Sequence, residues 1–280
     1  MSYCIAILMY FLYNKYSMRK ILVILLFFPL IGFAYPNTVL YNITNDTVLN
    51  GSLDCDEVSI ASISKLMTVY TVLKSDQDLT EKLTVRSNKT PNTKLSKGMI
   101  LTRLELINLS LISSDNIAAI TLAENYPNGR AGFVAKMNEY SKELNMFRSG
   151  FVEPTGLSPM NYSTIGDIIT LTRAVSEFDI VQSAAQSQRT FSPIESKKRK
   201  KSVKEPKRKP QVVANNPTSS YFGREGIITI KTGFTSAAGF CITLLVKANN
   251  QLYNITVLGA KSKQERQRLV EKSLAKIYSA

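Results

Sequence analysis

The stretch Ala61-Ser62-Ile63-Ser64-Lys65-Leu66-Met67 sets a hydroxyl and an amine three residues apart inside an apolar run. Ile63, Leu66, Met67, Tyr70 and Leu73 recur at helical spacing, which predicts a buried helix with Ser62 at its start. Residues three apart share a helix face, so the Lys65 amine can reach the Ser62 hydroxyl. A buried lysine loses solvation of its charged form, its pKa falls, and it can act as a base. The spacing alone is weak, since Ser17/Lys20 and Ser273/Lys276 repeat it. Whatever distinguishes Ser62 must come from the rest of the chain.

Histidine is absent from all 280 residues, which removes Ser-His-Asp and Cys-His schemes, histidine general bases and histidine-ligated zinc. Serine chemistry here needs another base, and lysine is the obvious one. Apolar content of 44% and charged content of 20% are ordinary for a folded protein, and the length allows a large core. Cys4, Cys55 and Cys241 show no CxxC spacing, so neither a metal nor a redox role is expected, and no cofactor is implied. Cys55 and Cys241 either pair in an oxidising compartment or remain free. Free thiols are the reading adopted, because Cys241 sits in an apolar strand-like run.

Met18-Arg19-Lys20 precedes the uncharged run Ile21 to Ala34, which ends in Gly32-Phe33-Ala34. A basic start, a short apolar run and a small-x-small site read as a secretory signal peptide over residues 1–34, with Met18 as the true start. A retained membrane anchor is the alternative, although neither apolar run reaches the roughly 20 residues needed to span a bilayer. The remaining domain, 35–280, is expected to be exported, periplasmic or secreted, and soluble once the signal is cleaved.

Thr38 to Thr44 and Thr47 to Leu49 read as strands around an Asn45-Asp46 turn. Helices are expected at Leu101–Leu111, Asn116–Glu124 and Gly132–Leu144, and from a Ser163 or Thr164 cap through Phe178. Gly226–Thr232, Phe240–Lys247 and Leu252–Ala260 read as strands, with Asn249-Asn250 as a hairpin turn, and Glu265–Tyr278 as a final helix. Strands at both chain ends around a helical block predict a single α/β domain: an antiparallel sheet built from both ends, with an inserted helical subdomain.

Lys197 to Lys209 holds nine Lys or Arg residues against one acid, Glu205. The net charge of +11 on residues 35–280 falls to +3 without this segment, so basicity belongs to a patch rather than to the fold. Such blocks are usually solvated. The functional alternative is attraction to a polyanion, with anionic wall polymers or headgroups ahead of nucleic acid, which is not expected as a partner.

Two further motifs occur once each: Ser114-Asp115-Asn116 at a helix start, and Lys231-Thr232-Gly233 at a strand end. Taken singly, Ser114 reads as a helix cap and Lys231 as a surface strand residue. Together, S-x-x-K, S-D-N and K-T-G in this order form the active-site set of penicillin-binding proteins and related β-lactamases. The chain resembles the D-alanyl-D-alanine carboxypeptidase/endopeptidase family of low-molecular-mass penicillin-binding proteins across roughly residues 37–275. Ser59–Met67, Phe151–Pro159 and Ile230–Gly239 carry the likeness. Thr90-Pro91, Glu124-Asn125-Tyr126-Pro127 and Lys231–Thr235 resemble the endopeptidase branch in particular.

The resemblance implies the penicillin-binding-protein/β-lactamase-like transpeptidase fold. It implies a serine peptidase acting on peptidoglycan stem peptides, with β-lactams as covalent inhibitors. Ser62 would be the nucleophile, Lys65 its base and Ser114 a proton relay. Asn116, Lys231, Thr232 and Thr235 would hold substrate, Gly233 would allow close approach, and the amides of Ser62 and Phe234 would bind the oxyanion. Lys231 would also lower the pKa of Lys65. A catalytically weak penicillin-binding or wall-binding module is the alternative. Glu153 does not read as a class A β-lactamase acid, because Leu157 stands where those enzymes have Asn; its stretch reads as a structural loop. The basic run stands where relatives have a hairpin, and the chain ends before the extra β-domain and anchor of the main carboxypeptidases.

Overall fold

The computed structural model describes residues 36–53, 56–88, 90–186, 189–191, 193–195, 211–214 and 220–279. The expected signal segment, Cys55 and the basic run at 197–209 lie outside them. The chain starts with β1 (Asn37–Asn42) and β2 (Thr47–Gly51), then β3 (Val58–Ser59), a 3-10 turn at Ala61–Ser64 and α1 (Lys65–Lys74). There follow β4 (Lys82–Thr84), β5 (Met99–Thr102), α2 (Arg103–Ile112), α3 (Asn116–Glu124), α4 (Gly129–Glu143), β6 (Tyr162–Ser163), α5 (Ile165–Ser176) and α6 (Asp179–Gln186). Short β7 (Arg189–Phe191), β8 (Ile194–Glu195) and β9 (Val212–Ala214) come next. The chain closes on β10 (Ile227–Thr235), β11 (Gly239–Ala248), β12 (Gln251–Ala260) and α7 (Lys263–Tyr278).

The main sheet runs β10-β11-β12-β1-β2, antiparallel throughout, so both ends of the domain share one sheet as expected. Asn249 and Asn250, at φ of 49° and 57°, supply the left-handed turn that the β11–β12 hairpin needs. Both faces of β11 are covered. Ile242, Leu244 and Val246 pack with Val270, Leu274 and Ile277 of α7, whereas Cys241 joins the core of the helical block. Burial on two faces explains the near-continuous apolar run of this strand. Among the described residues Cys241 is a free, buried thiol.

Local chemistry sets the helix starts. Asp115, Thr164 and Ser262 cap α3, α5 and α7 through their side-chain oxygens. Thr102 and Glu105 form a capping box, which starts α2 at Arg103 rather than at the expected Leu101. Leu101 belongs instead to β5, paired with Leu83. The strand expected to stop at Thr232 continues to Thr235, because Gly233 and Phe234 stay paired with Cys241 and Phe240. Among the described residues no helix is long and apolar enough to cross a membrane.

Candidate active site

Ser62 lies in the 3-10 turn one residue after Ala61, which adopts a left-handed φ of 47°. Lys65 is the first residue of α1 and is fully buried. Its Nζ donates to Ser62 Oγ at 3.0 Å, to Asn116 Oδ1 at 2.7 Å and to the Thr155 carbonyl at 2.6 Å. Burial lowers the Lys65 pKa to about 7, against the opposing pull of Glu153 and Asp115.

Two glycines bring other segments against this turn. A Cβ on Gly156, whose φ is 80°, would sit 1.8 Å from the Ala61 carbonyl oxygen. One on Gly233 would sit 2.8 Å from the Ser62 amide nitrogen, so β10 lies directly beside the nucleophile's backbone.

Lys231, projecting from β10, is also buried, so the surface-residue reading fails. Its Nζ donates to Ser114 Oγ at 2.8 Å and to the Thr232 carbonyl at 2.9 Å. Burial lowers its pKa well below the ordinary lysine value, and the positive Lys65 and Arg266 push in the same direction. For Lys65 itself burial drives the downward shift, so the lowering expected from Lys231 is not what carries it.

Ser114 is not a helix cap; Asp115 takes that role by accepting from the Ala118 amide. Asp115 also accepts from Thr93 Oγ1 and from the Lys94 amide, and its burial pushes its carboxyl up. Glu153 is committed to its own loop, accepting from Thr155, Gly156, Ser158 and Asn161.

A cleft of about 320 Å³ opens over these groups. It is lined by six of the residues expected from sequence: Ser62, Ser114, Asn116, Thr232, Gly233 and Phe234. Lys65 and Lys231 lie beneath, joined to it by their hydrogen bonds. Thr235 stands apart, its hydroxyl accepting from the Ala238 amide in the β10–β11 turn. The side chain of Phe234 is 55% exposed and stacks on Phe240 at a centroid distance of 4.2 Å.

Sequence reading missed Pro91, Asn92, Ser113, Leu157, Phe240, Lys263 and Arg266 in the lining. Only Arg266 left a signal. It shares the buried face of α7 with Val270 and Ile277, where a charge is rare without a purpose. Its Nη1 donates to the Cys241 carbonyl at 3.3 Å.

A serine–lysine pair flanked by Ser-Asp-Asn and Lys-Thr-Gly, under one antiparallel sheet with a helical insert, defines the penicillin-binding-protein class of fold. The Streptomyces K15 DD-transpeptidase crystal structure superposes with a TM-score of 0.73 at 20% identity, covering 87% of this chain and 97% of that one. Penicillin-binding protein D2 from Listeria monocytogenes, in its cefotaxime-bound form, superposes with a TM-score of 0.69 at 24% identity, covering 85% and 94%. The D-alanyl-D-alanine carboxypeptidase family matches residues 36–262, and the chain belongs to it. D-alanyl-D-alanine endopeptidase of Escherichia coli K12 is 34% identical over 219 residues, 73% of this chain and 64% of the relative. The endopeptidase of Pseudomonas aeruginosa PAO1 is 34% identical over 216 residues, 74% of this chain and 65% of the relative. The chain thus spans a little under two thirds of the length of these curated relatives.

Proposed function

We propose that this chain is an exported serine DD-peptidase that hydrolyses D-alanyl bonds of peptidoglycan stem peptides through an acyl-enzyme on Ser62. The observation that carries this reading is the buried Lys65 amine, 3.0 Å from Ser62 Oγ and with a pKa lowered to about 7. Neutral Lys65 takes the Ser62 proton as Oγ bonds to the carbonyl carbon. The amides of Ser62 and Phe234 receive the oxyanion. The C–N bond then breaks as the leaving nitrogen takes the Ser114 proton, which Lys231 replaces through their 2.8 Å hydrogen bond. Lys65 thereby ends protonated and Lys231 neutral, and water then hydrolyses the ester, restoring the Ser62 hydroxyl and releasing the carboxylate and a proton.

Asn116 steadies Lys65 and holds the substrate amide. Thr232 and Thr235 offer hydroxyls to a substrate carboxylate, and Lys263 and Arg266 add charge to the cleft lining. Cleavage of cross-links is preferred over trimming of terminal D-Ala. The 34% relatives carry the endopeptidase name, whereas a carboxypeptidase of Bacillus subtilis is 26% identical. Residues 1–34 act as the export signal, and the basic run 197–209 is a candidate contact for anionic wall polymers.

The test is labelling by a fluorescent penicillin. Wild type labels and Ser62→Ala does not; equal labelling overturns the mechanism. Digestion of cross-linked muropeptides then separates the specificities. Dimers falling to monomers supports endopeptidase action, and pentapeptide shortening alone overturns that preference.

A further inference from the structure

Ser114 has a left-handed φ of 54°, which a residue with a Cβ adopts only when its surroundings hold it there. The holding group comes from a distant loop. The Val85 amide donates to the Met99 carbonyl and the Gly98 amide to the Val85 carbonyl, so the ends of the 85–98 segment are pinned together. Within that span, residues 91–94 reach over the start of α3. There Asn92 Nδ2 donates to the Ser113 carbonyl at 3.1 Å and to the Ser114 carbonyl at 2.8 Å. One carboxamide nitrogen carries two hydrogens, enough for both oxygens. The Asn92 carbonyl in turn accepts from the Asn116 amide at 3.2 Å.

Asn92 is suited to this place. Its own φ is 52°, a conformation that Asn tolerates better than most side chains. The neighbouring bonds complete a reciprocal clasp: Asn116 Nδ2 donates to the Pro91 carbonyl at 2.6 Å, and Asp115 accepts from Thr93 and from the Lys94 amide. Every motif residue from Ser114 to Asn116 is thereby tied to residues 91–94.

We infer that Asn92 is a positioning residue, whose carboxamide fixes the Ser113–Ser114 backbone so that the Ser114 hydroxyl stands between Lys231 and the leaving group. This rests on the serine peptidase reading and adds to it a residue outside the three motifs. Freed from Asn92, the Ser113 and Ser114 carbonyls turn toward water, and the Ser114 hydroxyl loses its fixed direction.

The consequence depends on the leaving group. An amide nitrogen leaves only when protonated, so it needs a well-placed Ser114. A thiolate leaves without a proton, the C–S bond breaking as Ser62 Oγ bonds to the same carbonyl carbon. The test compares an acyl-D-alanyl-D-alanine peptide with a D-alanyl thioester carrying the same acyl group, using the full-length protein. In Asn92→Gly, which keeps the left-handed backbone and removes the carboxamide, kcat/KM on the peptide should fall about 10-fold or more and on the thioester less than about 3-fold. Asn92→Asp, which keeps the shape and removes both donor hydrogens, should show the same split. Ser114→Ala should show it more strongly.

Equal losses on the two substrates in both variants would make Asn92 merely structural and overturn the inference, as would no loss on either. If wild type cleaves neither substrate and takes no penicillin label, the peptidase reading itself fails and the inference with it. If wild type cleaves both and Asn92 is indifferent, only the inference fails.

Discussion

The two faces of the central sheet are stabilised in different ways. Beneath α7, Leu40, Ile242, Leu244, Ile255 and Val257 meet Val270, Leu274 and Ile277 in a dry apolar layer. On the side of the helical block, the face of β10 and β11 that carries Lys231 opposite Thr243 is polar. Thr243 contacts Thr172 at 3.1 Å and Thr256 at 2.9 Å, and Asn254 donates to it at 3.2 Å. Apolar area alone secures the first face, whereas on the second directional bonds stand beside the apolar Val39, Cys241 and Leu258. The cleft forms at the β10 edge, where buried amines are held by hydrogen bonds that no apolar contact could replace.

Substitutions should separate the two faces cleanly. The largest effect is expected from Lys65→Met, which keeps much of the side-chain volume and removes the amine. Acylation by a fluorescent penicillin should slow by about 10³-fold or more, while far-UV circular dichroism retains the folded spectrum. A rate within about 10-fold of wild type would break the contrast, because it would mean that the polar face does not carry the chemistry.

Leu274→Ala should do the converse. It removes a fully buried side chain from the α7 layer and should lower unfolding free energy by about 2–5 kcal/mol in urea titrations. The acylation rate per folded molecule should stay at the wild-type value. A loss of rate in the folded protein would show that the α7 face reaches the site after all, with Arg266 at the start of that helix as the route.

The smallest effect is a pH profile. Lys65 acts as a base only when neutral, and its pKa is lowered to about 7. The sign follows: acylation is full above that pH and falls as the amine gains its proton, by about tenfold per pH unit well below it. Labelling rates measured across this range give the curve. A profile flat down to about pH 5 would remove Lys65 from the role of base.

Much of the site was legible before any geometry. Motif order singled out Ser62, Lys65, Ser114, Asn116 and Lys231, because each residue type carries its chemistry with it. The missing residues have no such signature. Pro91 and Asn92 belong to a loop whose value lies in where it folds back, and Asn is common in turns for many reasons. Arg266 left one signal, its spacing with Val270 and Ile277, which the many surface charges of the same helix made easy to overlook. Thr235 is a mixed case: its place beside Lys-Thr-Gly suggested a substrate contact, and its oxygen accepts from the Ala238 amide, which fixes the hydroxyl in the β10–β11 turn without using its hydrogen. Helix starts were legible where a cap stood in the sequence, as at Thr164, and misjudged at Leu101, where pairing with β4 outweighed the helical pattern.

The chemistry available to this protein was settled by sequence alone: no histidine, a serine with a lysine one turn away, and strands at both ends to enclose a helical block. Local pattern and residue type suffice for that. Only the tertiary structure decided that Lys65 is buried while Lys276 is exposed, and burial is what brings a lysine near pH 7. It also decided that a left-handed Ser114 is held by a carboxamide more than twenty residues away, a relation that no local pattern encodes.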